Sequence, residues 1–243
     1  MQQKQFFVLN LLVAVTLISL YSCKKNEVPA PIPEPNTITY DGFTYRTVTI
    51  PGAGTWTVEN ARNTHFSNGD PIRNAKTNEE WKDETNKKIA AKTSDTGAWC
   101  YYKNTNSADT QNIYGKLYNF YAVKDARGLA PKGWHVATDA EFINLVNILG
   151  DSAGQKLKSN LYWIIDVCMA KPSRNITGFA AVPAGYRYDS DGDFHNLGTT
   201  AYFWSSTEDS DNAWWQYLDY NDAGTYRNSS SKLLGLSVRF VKD

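Results

Sequence analysis

The 243-residue chain balances 25 basic residues against 25 acidic ones, so no electrostatic field favours nucleic acid as a partner. Aromatic residues make up 14% of it and glycines number 16, which favours a loop-rich fold with substantial β-structure over a helical bundle.

Lys4 precedes the apolar run Phe6–Leu20, which leads into Leu20-Tyr21-Ser22-Cys23. That order is a signal peptide. Broken by Asn10, the run is too short for a spanning helix, which takes about 20 uninterrupted apolar residues. Its last four residues resemble the lipobox of bacterial lipoproteins. Residues 1–22 are therefore expected to be removed and Cys23 to carry the lipid, with the membrane as partner through that anchor. Two acyl chains hold a protein stably where one does not. Losing Lys4 leaves acids one ahead of bases.

Residues 23–36 carry four prolines and read as an extended tether, followed by one domain over residues 37–243. Asp41-Gly42 separates two β-rich runs, 37–40 and 43–48, as a hairpin turn does. Thr77 with Glu80 fits a capping box ahead of a charged helix reaching about Ala90. Thr138 with Glu141 fits a second, opening a helix whose Phe142, Leu145, Val146 and Leu149 share one stripe and which Gly150 ends. A shorter helical turn is expected over 152–157.

Strands are expected at 179–182, 201–206, 213–220, 225–228 and 236–241, with polar turns at Asp189–Asp193 and Asn221–Gly224. Helices early and an antiparallel meander late give an α+β fold with one or two main helices. Cys100 and Cys168 remain, either as a disulfide of an oxidising compartment or as two separate buried thiols.

Seven ordered stretches carry a family resemblance: Gly54-Thr-Trp56-Thr-Val-Glu59-Asn60; Trp99-Cys100-Tyr101-Tyr102; Tyr114 to Val123; Leu129 to Glu141, with Pro131, Gly133, Trp134 and His135; Gly178-Phe179 with Pro183-Ala-Gly185-Tyr186-Arg187; Phe203-Trp204-Ser205-Ser206-Thr207; and Ser237-Val238-Arg239. Together they resemble the Fibrobacter succinogenes major paralogous domain of secreted and lipid-anchored proteins in Bacteroidota. The resemblance implies a distantly C-type-lectin-like fold, related also to formylglycine-generating enzymes, and carries no assigned activity. It implies an outer-membrane lipoprotein whose lipid-bearing face, periplasmic or surface, stays open. Lys24-Lys25 lacks the acidic run that resembles surface-export signals, and Asp151-Ser152-Ala153 resembles an O-glycosylation motif of the same phylum. Many relatives carry a cysteine where this chain has Phe240, so a bridge to that position is absent.

Catalysis is not expected. His65, His135 and His195 include no pair at metal-ligand spacing, and His135 reads as a hydrogen-bonded structural histidine. Asp189, Asp191 and Asp193 alternate as oxygen ligands of a structural calcium would, but Gly192 is misplaced for an EF-hand, and a polar turn, the favoured reading, explains the same residues. No other cofactor is expected. Glu208, Asp209 and Asp211 form a second, solvated acidic cluster. Binding rests on the aromatics. Side chains alternate across a sheet, so with Trp214 and Leu218 inward, Trp215, Tyr217 and Asp219 share an outer face suited to a glycan or protein ligand, for adhesion or nutrient capture. The alternative is a structural component of a surface appendage or envelope complex.

Overall fold

The computed structural model describes residues 36–84, 97–164 and 175–243. The signal peptide, Cys23, the tether up to Pro35, the expected helix beyond Glu84, and Cys168 lie outside the described residues. Among the described residues no helix is long and apolar enough to cross a membrane.

The hairpin forms as expected: strand β1 (Thr37–Tyr40) pairs antiparallel with β2 (Phe43–Ile50). Asp41 and Gly42 both take positive φ, 49° and 75°, as a tight twisted hairpin turn requires. Strand β3 (Gly54–Thr57) follows. The short β4 (Arg73–Asn74), β5 (Ala98–Cys100) and β6 (Leu117–Tyr118) form a small sheet. Helix α1 (Ala108–Tyr114) starts on Ser107, whose hydroxyl accepts the Thr110 amide, and α2 (Phe120–Val123) starts on Asn119 in the same way. Strand β7 (Trp134–Val136) then runs into α3 (Asp139–Leu149). Both halves of the Thr138–Glu141 capping box are present and Gly150 caps the far end. Helix α4 (Ala153–Leu157) follows, with Ser152 half-buried before it. At the first box, Thr77 Oγ1 accepts the Glu80 amide as expected, opening a π-helical turn over Glu80–Glu84.

The second half supplies β8 (Ala184–Arg187), β9 (Phe194–Leu197), β10 (Thr200–Asp209), β11 (Asn212–Asp219), β12 (Tyr226–Ser231) and β13 (Phe240–Lys242). The architecture is mixed, mostly strands with a few helices. One five-stranded sheet runs β1-β2-β3-β13-β7, bringing both ends of the described chain together; the other runs β12-β11-β10-β8-β9.

Three strand expectations need correction. Residues 179–182 form no ladder strand: Ala180 sits at φ 50°, Ala181 makes only a single parallel bridge with Lys158, and the carbonyls of Phe179 and Ala180 accept from Arg239 instead. Regular strand at the chain's end is confined to 240–242, because Leu236 and Ser237 turn aside to single bridges with Tyr118 and Phe203. The late strands are not all antiparallel, since β8 joins β10 in parallel.

The core lies between the two large sheets and α3. Trp56, fully buried, packs its ring 5.2 Å from Phe142 of the helix and 5.5 Å from Phe179. Trp204 packs 5.4 Å from Phe120, and its indole N–H donates to the Tyr118 carbonyl at 2.9 Å. Burial of each such indole contributes about 3 kcal/mol or more.

Candidate functional site

Strand register builds one feature that crosses the whole second sheet. His195 of β9 pairs with Tyr186 of β8. The parallel pair Ala201–Gly185 aligns the next residues, Tyr202 of β10 and Tyr186. Tyr202 faces Tyr217 of β11, and Tyr217 faces Tyr226 of β12. Each of the five strands thus sets one ring on the same face. Centroids follow one another at 5.3, 5.0, 5.5 and 4.9 Å. With strands about 4.8 Å apart, the row is about 19 Å long. Tyr188 adds a ring 6.3 Å from Tyr186 and 6.1 Å from His195.

Local sequence explains the β9 end of the row. Gly185 has φ 64°, and a Cβ there would stand 2.2 Å from the His195 carbonyl oxygen. Only glycine lets β9 come this close and set His195 beside Tyr186.

At the other end the rings of Tyr202, Tyr217 and Tyr226 lie within 22–24° of parallel. At these separations parallel rings are offset-stacked, so they overlap like shingles and turn edges and hydroxyls outward. Tyr226, Tyr188 and His195 are exposed; Tyr186, Tyr202 and Tyr217 are half-buried. Burial raises the phenol pKa of Tyr186, Tyr202 and Tyr217, and nearby acids add to the rise; at Tyr226 a hydrogen bond with Asp222 leads. The hydroxyls therefore stay protonated donors well above neutral pH. Along the rim, Asn196 donates to the Tyr202 oxygen at 3.0 Å, and the Asp219 carboxylate accepts from the Thr200 hydroxyl at 3.0 Å.

The expected trio divides. Trp215, Tyr217 and Asp219 share a face, but Trp215 is only 9% exposed. The same face carries Trp204 directly opposite, roofed by Phe120. The face is thus open at Tyr217 and closed at Trp215, whose Nε1 is buried with no hydrogen-bond partner among the described residues. Trp214 shares Leu218's face as expected but is only half-buried there, under the Arg227 guanidinium.

The acidic loop is a clamped turn. Asp191 accepts the Asp193 amide at 2.8 Å, Asp193 accepts the Asn78 side chain at 2.9 Å, and the Gly192 carbonyl accepts from Arg187 at 2.9 Å. Among the described residues no group of three His, Cys, Asp or Glu converges as a metal site, Asp189 included. In the second cluster Glu208 pairs with Lys232 at 2.8 Å. His135 is held between Glu141 at 2.8 Å and Asp243 at 2.7 Å. Cys100 is a free, fully buried thiol whose pKa burial pushes up to about 11.

A family model described as Fibrobacter succinogenes major domain matches residues 48–242. The chain belongs to this family. No curated protein and no solved structure matches it.

In this Fibrobacter succinogenes major domain the quoted motifs are largely struts. Arg239 is fully buried, donating to Asn60 Oδ1 at 2.7 Å and to the carbonyls of Thr57 and Phe179 at 2.8 and 2.9 Å, with its guanidinium 4.6 Å from the Phe179 ring. Arg187 is held the same way by the carbonyls of Gly192, Ala75 and Thr77 and by the rings of Trp81 and Phe194. Lys116 bonds the Arg62 carbonyl inside a cage of Phe43, Trp99 and Tyr101, its ammonium 4.5–4.8 Å from the three ring centroids. Carbonyl dipoles and ring faces hold these charges, with no carboxylate in an ion pair with them among the described residues. None of the three reaches the aromatic row with a free polar group. Sequence reasoning found Tyr217 but missed Tyr186, Tyr202, Tyr226 and His195 as a set, because their only shared signal is register.

Proposed function

We propose that the chain is a non-catalytic, lipid-anchored envelope domain of C-type-lectin-like architecture that holds an extracytoplasmic glycan against its aromatic row. The row itself carries the reading: five rings in register on an open face, with hydroxyls, an amide and carboxylates at the rim. A sugar combines apolar ring edges with a surround of hydroxyls, and such a surface answers both. Asp189, Asp191, Asp219 and Asp222 lie around the tyrosines and raise their pKa values. They would repel polyanions, which favours a neutral glycan.

The anchor and the outer-membrane location rest on Leu20-Tyr21-Ser22-Cys23. The lectin-like architecture rests on the resemblance of the family as a whole; Trp134–Glu141, the stretch similar to the formylglycine-generating branch of that fold, is here strand β7 running into α3. An oxidase of the formylglycine-generating type needs a reactive thiol, and Cys100 is buried with its thiolate disfavoured.

A glycan array probed with the purified protein and with Tyr217→Ala and Tyr202→Ala tests the reading. Neutral glycans should bind the parent and not the variants; equal binding by all three removes the row from the function. One observation favours an assembly role instead. Among the described residues β12 ends the sheet order; its Arg227 is tied back to Asp139, and Asn228 with three serines leaves the rest of the edge without the lysine or proline that commonly blocks strand addition. Crosslinking that returns a stoichiometric protein neighbour, with no glycan preference, would select that role.

A further inference from the structure

Beyond His195, on the outer side of edge strand β9, the surface opens into a groove of about 470 Å³ lined by Lys103, Asn104, Asp193, Phe194 and His195. Its size falls within the roughly 300–1,000 Å³ of small-molecule sites. We propose that this groove is a terminal subsite for one unit of a neutral glycan whose following units lie along the aromatic row. The protein then binds an extended chain rather than a single sugar. The proposal rests on the glycan reading above.

Three walls of the groove are fixed from behind. Phe194 is wedged between the Tyr102 ring at 5.2 Å and the Arg187 guanidinium at 4.8 Å. Asp193 is tied to Asn78. Asn104 is tied by its amide to the Lys76 carbonyl. A ligand entering such walls orders little that is still free, and preorganisation of this kind raises affinity. Lys103 and Asn104 both adopt left-handed backbone, φ 50° and 49°. Two successive non-glycine residues there are uncommon, and lysine has none of the local compensation that asparagine's short amide provides. Backbone strain of this kind gathers at ligand clamps.

The polar groups suit a polyhydroxyl unit. An ammonium, an amide, a carboxylate and an imidazole line the groove together with one aromatic residue, and the positive charge of Lys103 is offset by Asp193. An anion would meet Asp193; a cation would meet Lys103. His195 belongs to both features, lining the groove while its ring lies 5.3 Å from Tyr186. A ligand that fills groove and row must be an oligomer.

The experiment titrates the full protein calorimetrically with β-1,4-glucan, β-1,3-glucan, α-1,4-glucan and β-1,4-mannan oligosaccharides, each as disaccharide and hexasaccharide. In at least one series the hexasaccharide should bind about tenfold tighter than the disaccharide. Lys103→Gly removes the side chain where glycine accommodates the backbone without strain, so folding is kept. It should weaken the hexasaccharide about fivefold, and Tyr217→Ala should weaken it at least as much. Equal affinity for both lengths overturns the extended site. Loss with Tyr217→Ala but none with Lys103→Gly overturns the subsite and leaves the glycan reading standing. No binding in any series overturns both.

Discussion

The guanidinium of Arg227 lies on the indole of Trp214, its central carbon 3.3 Å from the ring centroid, while its fork closes on the Asp139 carboxylate at 2.6 and 2.8 Å. One side chain thereby ties β12 to the first turn of α3, on the face of the sheet opposite the aromatic row. Asp139 also meets the positive end of the helix dipole, so the ion pair and the helix support each other. Arg227 is 35% exposed, and solvent screening limits the gain.

Arg227→Gln should lower stability by about 1 kcal/mol, read from a urea midpoint. Arg227→Lys should recover less than half of that, because an ammonium cannot fork onto a carboxylate. A midpoint unchanged in both variants would mean that the sandwich contributes nothing.

Arg239 should be far less tolerant. Arg239→Met fits the volume but strands Asn60 Oδ1 and the carbonyls of Thr57 and Phe179 in a dry interior. Each stranded acceptor costs about 1–3 kcal/mol, so the variant should lose at least 3 kcal/mol or fail to accumulate folded. Folding at near-parent stability would show that water enters and satisfies the acceptors.

What the sequence disclosed divides along the range of the interactions. Asp41-Gly42 and Thr138 with Glu141 are complete within four residues, and turn and cap form as read. Residues 179–182 look like a strand because they are apolar, yet the carbonyls of Phe179 and Ala180 go to Arg239, some 60 positions away, and nothing local announces it. The tryptophan pair shows the same limit. Alternation correctly separates Trp214 from Trp215, but which of them is buried depends on Phe120 roofing Trp204 across the strand pair. The aromatic row is the extreme case, since each strand shows only one ring and the row exists only once five registers are set.

His135 should make stability depend on pH. Burial lowers its pKa, but hydrogen bonds to Asp243 and Glu141 outweigh this, so the folded value is raised. Both neighbours are acceptors, and only the imidazolium has two N–H donors to serve them. The contribution is therefore complete below the unfolded value of about 6.5 and is lost as pH rises through the higher folded value. Denaturation of parent and His135→Gln across pH 5.5–8.5 should show a gap that narrows upward, with the His135 imidazole titrating above 6.5 by NMR. A constant gap, or a titration below 6.5, would reject the two-carboxylate clamp.

Trp215 separates packing from binding. Its Nε1 is buried without a partner among the described residues, and leaving such a donor dry costs about 1–3 kcal/mol in the folded state. Trp215→Phe removes that cost while leaving a smaller ring against Tyr202 and Tyr217, now 5.5 Å from each. The two effects oppose, so the net change should stay within about 1 kcal/mol, against about 3–5 kcal/mol for truncation to alanine. Because the indole N–H does not reach solvent, glycan affinity should change less than twofold in Trp215→Phe while Tyr217→Ala abolishes it. Loss of binding in Trp215→Phe with stability intact would move the contact surface from the tyrosines to the tryptophan, and would require the roof over Trp204 to open when ligand binds.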